Sequence, residues 1–166
     1  MLYVVSYSGK TLMSRLIRWF SWDDKSHVAV IDLSKNRLWE SSAKHGGVRI
    51  VEGADFDCVV SNSHKPGTPW QLWSIVEDID EGAMIDWMDS HLGSKYDFMC
   101  ILGFIIRRPI QHILKFVCSE YVVEAMRAGG SRILGARPAW KVKPSDMTTS
   151  GSLLLVLEGE TVACSV

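Results

Sequence analysis

Residues 116–126 read FVCSEYVVEAM, and they decide how the rest of the chain is interpreted. The stretch is typical of a helix over roughly residues 117–128, because Gly129 and Gly130 follow where such a helix would stop. Cys118 stands in the predicted first turn. The positive end of the peptide dipoles stabilises a thiolate there, which makes this thiol a candidate nucleophile.

A histidine opens the second decisive stretch, residues 26–33, which read SHVAVIDL. Its β-branched and apolar residues are typical of a buried strand. His27 on such a strand is held rigidly enough to take a proton from a thiol. A cysteine and a histidine in these two settings are the smallest set of side chains that can carry out nucleophilic acyl transfer.

Both residues also have a structural interpretation. Free cysteine is among the most buried residue types, so Cys118 alone would also fit a core thiol. No Ser, Thr, Asp or Asn directly precedes it as a helix cap, so the first N–H groups of the helix stay available for an oxyanion. His27 alone would fit a core histidine. The other histidines lie in turn-like solvated segments (His45, His64), at a helix end (His91) and in an irregular stretch (His112).

The composition excludes several classes of protein. The chain has 166 residues, 47% of them hydrophobic and 22% charged, which predicts one soluble domain over residues 1–166. The formal net charge is −1 and basic residues form no stripe, so we expect no nucleic-acid partner. Residues 1–7 indicate a first strand rather than a signal peptide, and the apolar runs at 99–106 and 153–157 are too short to span a bilayer. We therefore expect no transmembrane segment and a cytoplasmic location, with a phage or accessory export route left open.

The four cysteines have no CxxC spacing, which predicts neither a zinc site nor a disulfide framework. Cys58, Cys100 and Cys164 lack the helix-start setting, and we interpret them as structural thiols. No metal and no organic cofactor is expected.

Turn residues divide the first part of the chain into a three-strand antiparallel meander. Its strands are predicted at residues 27–33, 37–41 and 48–51. The remaining predicted elements are strands at 2–7, 70–76 and 153–157 and a helix at 80–92. A meander combined with helices predicts an α+β fold.

A catalytic imidazole usually needs a third group that fixes its tautomer. Glu40 lies on the strand after the His27 strand. A hairpin here pairs positions whose numbers sum to about 70, which puts Glu40 near residue 30, a little past His27. Contact would then need a bulge or a differently placed turn. An exposed strand carboxylate is the alternative for Glu40, and weaker candidates for the third group are Asp32 and Asp97.

Six segments, in order, carry a resemblance to a known family. They are residues 26–30 (SHVAV), 38–42 (LWESS), 46–50 (GGVRI), 95–97 (KYD), 118–122 (CSEYV) and 143–147 (KPSDM). The ordered set resembles the circularly permuted papain-like hydrolases, relatives of the NlpC-type endopeptidases that include the YiiX-like proteins and, more distantly, lecithin–retinol acyltransferase. The permuted order, like the order here, puts the histidine strand before the cysteine helix.

The resemblance implies a permuted papain-like (NlpC-type) fold, in which an antiparallel sheet packs against helices and the nucleophile begins a helix. It implies Cys118 as nucleophile, His27 as base and Glu40 as the third residue. Tyr96 matches a tyrosine near the thiol that helps to bind the oxyanion or shapes the cleft. Trp22, a few residues before His27, is a further candidate for lining that cleft.

The expected function is a thiol hydrolase that cleaves an amide or peptide bond through an acyl-enzyme. A cell-wall peptide or an isopeptide is a candidate substrate, and the chain fits an accessory protein of a bacterium or its phage. An acyltransferase or esterase that acts on acyl lipids with the same triad is the alternative enzyme, with the run at 99–106 as a lipid-facing wall. A non-catalytic binding module with a tryptophan-lined cleft is the alternative of another class. The expected partner is a peptide, amide or acyl substrate. The sequence leaves the oligomeric state open.

Overall fold

The computed structural model describes residues 1–11, 14–15, 18–19, 23–62, 64–97 and 115–164. The strands are β1 (Leu2–Tyr7), β2 (His27–Asp32), β3 (Arg37–Ser42), β4 (Gly47–Glu52), β5 (Pro69–Ile75), β6 (Lys95–Tyr96), β7 (Lys115–Phe116) and β8 (Leu153–Glu160). The helices are α1 (Phe56–Ser61), α2 (Glu81–Ser90), α3 (Cys118–Ala128) and α4 (Pro144–Thr148), with a 3₁₀ turn at Ala139–Lys141. Strands and helices together make the α+β fold that the sequence predicts.

All described strands join one sheet in the order β7-β6-β4-β3-β2-β1-β5-β8. The pairs are antiparallel except β6 with β7, which run parallel. The predicted meander is present as β2, β3 and β4. The edge strand β7 leads directly into α3. Its pairing with β6 therefore determines where that helix begins.

The two faces of the sheet bury different residues, because side chains alternate along a strand. One face packs Val28 and Val30 of β2 against α3, where Val122 and Met126 are fully buried. The other face holds a smaller cluster around Ile31, covered in part by α1. The longer α3 is therefore held against the sheet by apolar contacts that extend well beyond its first turn.

Local signals explain where the helices begin and end. The Asp80 carboxylate caps α2 by accepting a hydrogen bond from the backbone N–H of Ala83. Gly93, which follows α2, has a φ of +79°, a conformation that glycine adopts without strain. The sequence analysis missed α1 and α4, because each is too short to show helical periodicity.

The expectation of no disulfide is wrong. Cys58 in α1 and Cys164 after β8 form a disulfide, with their Cα atoms 5.5 Å apart. The two cysteines are 106 positions apart, so no local spacing could reveal the pairing. Cys100, His112, Trp22 and the apolar run at 99–106 lie outside the described residues. Within the described ranges, no helix has the length and apolar character needed to cross a membrane.

Candidate active site

Cys118 is the first residue of α3 and is buried. The preceding Val117 is extended, and no side chain caps the helix there. Two hydrogen bonds fix the position of this helix start: the Ser41 hydroxyl donates to the carbonyl of Phe116 over 2.6 Å, and the Ser119 hydroxyl donates to the carbonyl of Val142 over 2.6 Å. The thiol therefore lies on a rigid helix end, where the helix dipole favours an anion.

His27 is the first residue of β2 and connects the thiol with a carboxylate. Its Nε2 lies 2.7 Å from Oε2 of Glu40. Its side chain lies close enough to that of Cys118 for the thiol to raise the pKa of the imidazole. Because Glu40 engages Nε2, Nδ1 is the ring nitrogen left for the thiol. The structure thus places His27 between the thiol of Cys118 and the carboxylate of Glu40.

Glu40 reaches His27 beyond the paired part of β2 and β3. The paired register ends with Val30 opposite Trp39, close to the sum of about 70 expected from the hairpin. His27 and Glu40 therefore meet where the two strands are no longer paired, and their contact joins Nε2 of the imidazole to Oε2 of the carboxylate.

Arg49 is a member of the site that the sequence analysis did not single out. It lies directly opposite Glu40 in the β3–β4 pair, and its Nε and Nη2 each lie 2.8 Å from Oε1 of Glu40. Nη2 also donates to the side-chain oxygen of Asn62 over 3.3 Å. Arg49 stabilises the ionised form of a carboxylate that is 1% exposed. The pairing of the predicted strands at 37–41 and 48–51 was the sequence feature that could have placed Arg49 opposite Glu40.

The charges around His27 favour its imidazolium form. Burial alone would lower the pKa of this histidine. The hydrogen bonds and charges of Cys118 and Glu40 outweigh burial and raise the pKa of His27 to about 10. An imidazolium between a carboxylate and a thiol is the partner that a thiolate needs.

His64 is a second histidine at the site, contrary to the expectation that it lies in a solvated turn. Its ring stacks on Tyr7 with the centroids 3.9 Å apart, and its centroid is 5.5 Å from that of His27. Burial, followed by the positive charge of His27, lowers the pKa of His64 to about 3. The strand pairing of Tyr7 with His27 could have indicated the Tyr7 contact, but nothing in the sequence connects residue 64 to this strand end.

The other candidates from the sequence analysis have different outcomes. Tyr96 is buried beside Val117, the residue before the thiol, with Trp140 packed against both. Trp22 lies outside the described residues. Asp32 is at the far end of β2, where it accepts hydrogen bonds from Ser34, so it does not take the place of Glu40. His45 is exposed, as expected.

The two neighbouring histidines should titrate at opposite ends of the pH scale. We expect His27 to remain an imidazolium at about pH 9, because its pKa is about 10, and His64 to be neutral at about pH 5, because its pKa is about 3. Ring ¹⁵N and ¹³C chemical shifts, assigned with a His64→Phe variant, measure both. A His27 ring that becomes neutral near its ordinary pKa of about 6.5 would contradict the arrangement described here.

Comparison with known proteins supports the fold and nothing finer. No family model matches the chain, and no curated protein matches it. The structure is similar to the crystal structure of the metalloprotein YiiX from Escherichia coli O157:H7, with a TM-score of 0.64 and 13% sequence identity. The match covers 95% of this chain and 96% of the YiiX chain. The fold is therefore YiiX-like.

The residues at this site do not form a metal centre. Among the residues that the structure describes, no group of three or more His, Cys, Asp or Glu side chains is arranged to hold a metal ion. The Nε2 of His27 is hydrogen-bonded to a carboxylate that Arg49 also binds.

Proposed function

We propose that this chain is a thiol hydrolase that cleaves an amide or peptide bond through an acyl-enzyme on Cys118. The observation that carries the proposal is the position of His27, which is hydrogen-bonded to the buried Glu40 and has its pKa raised by the neighbouring thiol of Cys118. A nucleophile, a base and an orienting group in contact are the arrangement used for covalent acyl transfer. We also propose that residues 1–166 form one hydrolase domain.

Each residue has a role in the proposed reaction. Before substrate binds, the proton of the Cys118 thiol has already passed to His27, and the thiolate of the resulting thiolate–imidazolium pair attacks the carbonyl carbon of the substrate. The resulting oxyanion lies at the start of α3, where no side chain caps the helix. His27 then gives its proton to the leaving amine, and the C–N bond breaks. Water, deprotonated by His27, then attacks the thioester carbonyl, the C–S bond breaks, and the acyl group leaves as a carboxylic acid while the thiolate–imidazolium pair is restored.

Glu40 and Arg49 support these steps from behind the histidine. Glu40 holds the imidazole through Nε2 and stabilises its positive charge. Arg49 keeps Glu40 ionised, so that the carboxylate does not take the proton from His27. Tyr96, buried next to Val117, is proposed to shape the cleft beside the oxyanion.

Trapping the acyl-enzyme tests the proposal. The protein is incubated with peptidoglycan peptides, isopeptides and acyl lipids, and intact-mass spectrometry with peptide mapping follows. We expect an amide or peptide substrate to add its acyl mass to Cys118, and no adduct with Cys118→Ala. Labelling by acyl lipids alone would assign the acyltransferase or esterase alternative instead. If no substrate forms an adduct and Cys118 is unreactive, the chain is better described as a non-catalytic binding module.

Glu40→Gln should reduce turnover without unfolding the protein. A neutral amide can still position the ring but stabilises imidazolium poorly, so we expect kcat for the substrate that labels Cys118 to fall about 100-fold. KM should change little. Glu52→Gln is the matched control, because Glu52 is an exposed glutamate on the next strand. Unchanged kcat in Glu40→Gln would return Glu40 to a purely structural role.

No described residue favours the lipid-directed alternative, because its proposed lipid-facing wall at 99–106 lies outside the described ranges. The cytoplasmic location stays a prediction, and the Cys58–Cys164 disulfide weighs against it. Such bonds persist mainly in oxidising compartments. We therefore favour action in an oxidising compartment, where a cell-wall peptide would be an accessible substrate.

A further inference from the structure

His64 and Tyr7 form a wall of two stacked rings against His27. Tyr7 lies directly opposite His27 in the β1–β2 pair, with the ring centroids 5.7 Å apart. His64 stacks on Tyr7 at 3.9 Å with an angle of 23° between the ring planes. The His64 ring is also 5.5 Å from the His27 ring, so the three rings are in mutual contact.

The segment that carries His64 is fastened at several points. The backbone N–H of His64 donates to the carbonyl of Ser61, and the Ser61 hydroxyl accepts from the N–H of Val162. The disulfide of Cys58 ties the same segment to the end of the chain. The backbone therefore holds His64 close to Tyr7, although residue 64 lies in no helix or strand.

Within the described residues, the buried Nε2 of His64 has no hydrogen-bond partner. Because this nitrogen makes no hydrogen bond to the described part of the chain, His64 acts on its neighbours through its flat ring. The charged and titratable groups that act on His64 are His27, Glu40, Lys44 and Arg49. Burial and the positive charge of His27 keep His64 neutral, so it adds no second cation beside the imidazolium.

We propose that His64 is a positioning residue of the thiol–histidine site, where its neutral ring, stacked on Tyr7, fixes the plane of the His27 ring. Glu40 holds one nitrogen of His27 and leaves the ring free to turn about that contact. A ring wall on one side removes this freedom, and the face of Tyr7 also attracts a cation at this distance. Nδ1 of His27 then stays directed at the thiol. This inference rests on the proposed function.

Thiol alkylation tests the inference without a known substrate. In a Cys100→Ser background, Cys118 is the one thiol outside the disulfide, and iodoacetamide labelling is followed from about pH 5 to pH 9. His64→Ala should slow labelling near pH 6.5 about tenfold, because a mobile imidazolium stabilises the thiolate less well. His64→Phe keeps a stacked ring and should stay within about twofold of the parent. His45→Ala, at an exposed histidine, is the matched control.

The outcomes separate this inference from the function on which it rests. Slow labelling of Cys118 in the parent protein would reject the proposed hydrolase itself. Fast labelling in the parent, with the same pH profile in His64→Ala, would reject only the positioning role. If His64→Ala does not fold, as judged by circular dichroism, His64→Leu keeps the volume without the flat ring and should give the same slow labelling. Parent-like labelling in a folded His64→Leu protein would also overturn the inference.

Discussion

Alkylation of Cys118 should fall about 100-fold near pH 6.5 when His27 is replaced by alanine, because an ordinary thiol with a pKa near 8.5 is only about 1% ionised there. In the native site, the neighbouring side chains of Cys118 and Glu40 raise the pKa of His27 to about 10 against the effect of burial. The imidazolium therefore persists throughout the neutral range and favours the thiolate. In the His27→Ala variant, the dipole at the start of α3 is the main remaining group that stabilises the thiolate.

The measurement uses the Cys100→Ser background, with His45→Ala as the matched control, since both substitutions remove one histidine. Labelling by iodoacetamide is followed by mass spectrometry from about pH 5 to pH 9. The rate for the His27→Ala variant should rise with pH and approach the parent rate above about pH 9, where an ordinary thiol ionises without help. Equal rates for the parent and for His27→Ala near pH 6.5 would mean that the contact is chemically inert, and the binding module would then be the better description.

Removal of the Cys58–Cys164 disulfide should lower the free energy of unfolding by about 2–5 kcal/mol, because the bond closes a long loop and restricts the unfolded chain. The two cysteines are 106 positions apart. The bond also joins α1 to the segment after the edge strand β8, so its loss should loosen α1 first. Chemical denaturation of the Cys58→Ser/Cys164→Ser protein measures the effect.

Two controls accompany this prediction. The single variant Cys58→Ser breaks the same bond and should lose a similar amount of stability, whereas Cys118→Ser, at a thiol outside the disulfide, should lose much less. Intact mass without reductant checks that the parent carries the bond. A double variant as stable as the oxidised parent would show that the bond contributes nothing to stability.

Much of the fold could be predicted from sequence, because its signals are local. Alternation and turn residues placed β2, β3 and β4 to within one or two residues. The glycines after residue 128 predicted the end of α3. Such features depend on neighbours in the chain, so they can be read without the tertiary structure.

The composition of the site depended on contacts that local patterns do not encode. Glu40 meets His27 beyond the last paired residues of β2 and β3, and the hairpin turn alone does not show that contact. Arg49 joined the site because β4 pairs with β3. These cross-strand contacts are set by one or two residues of register, and a turn alone does not determine it to that accuracy.

The sequence by itself determined that a cysteine begins a helix and that a histidine begins a strand, because caps, glycines and apolar patterns are short-range properties. Only the tertiary structure decided that the two side chains meet, that His64 stacks on Tyr7 beside them and that Cys58 pairs with Cys164. Each of these contacts joins residues that are far apart in the chain. Such contacts form because the curled sheet and its packed helix bury apolar surface together, and burial is a property of the whole fold.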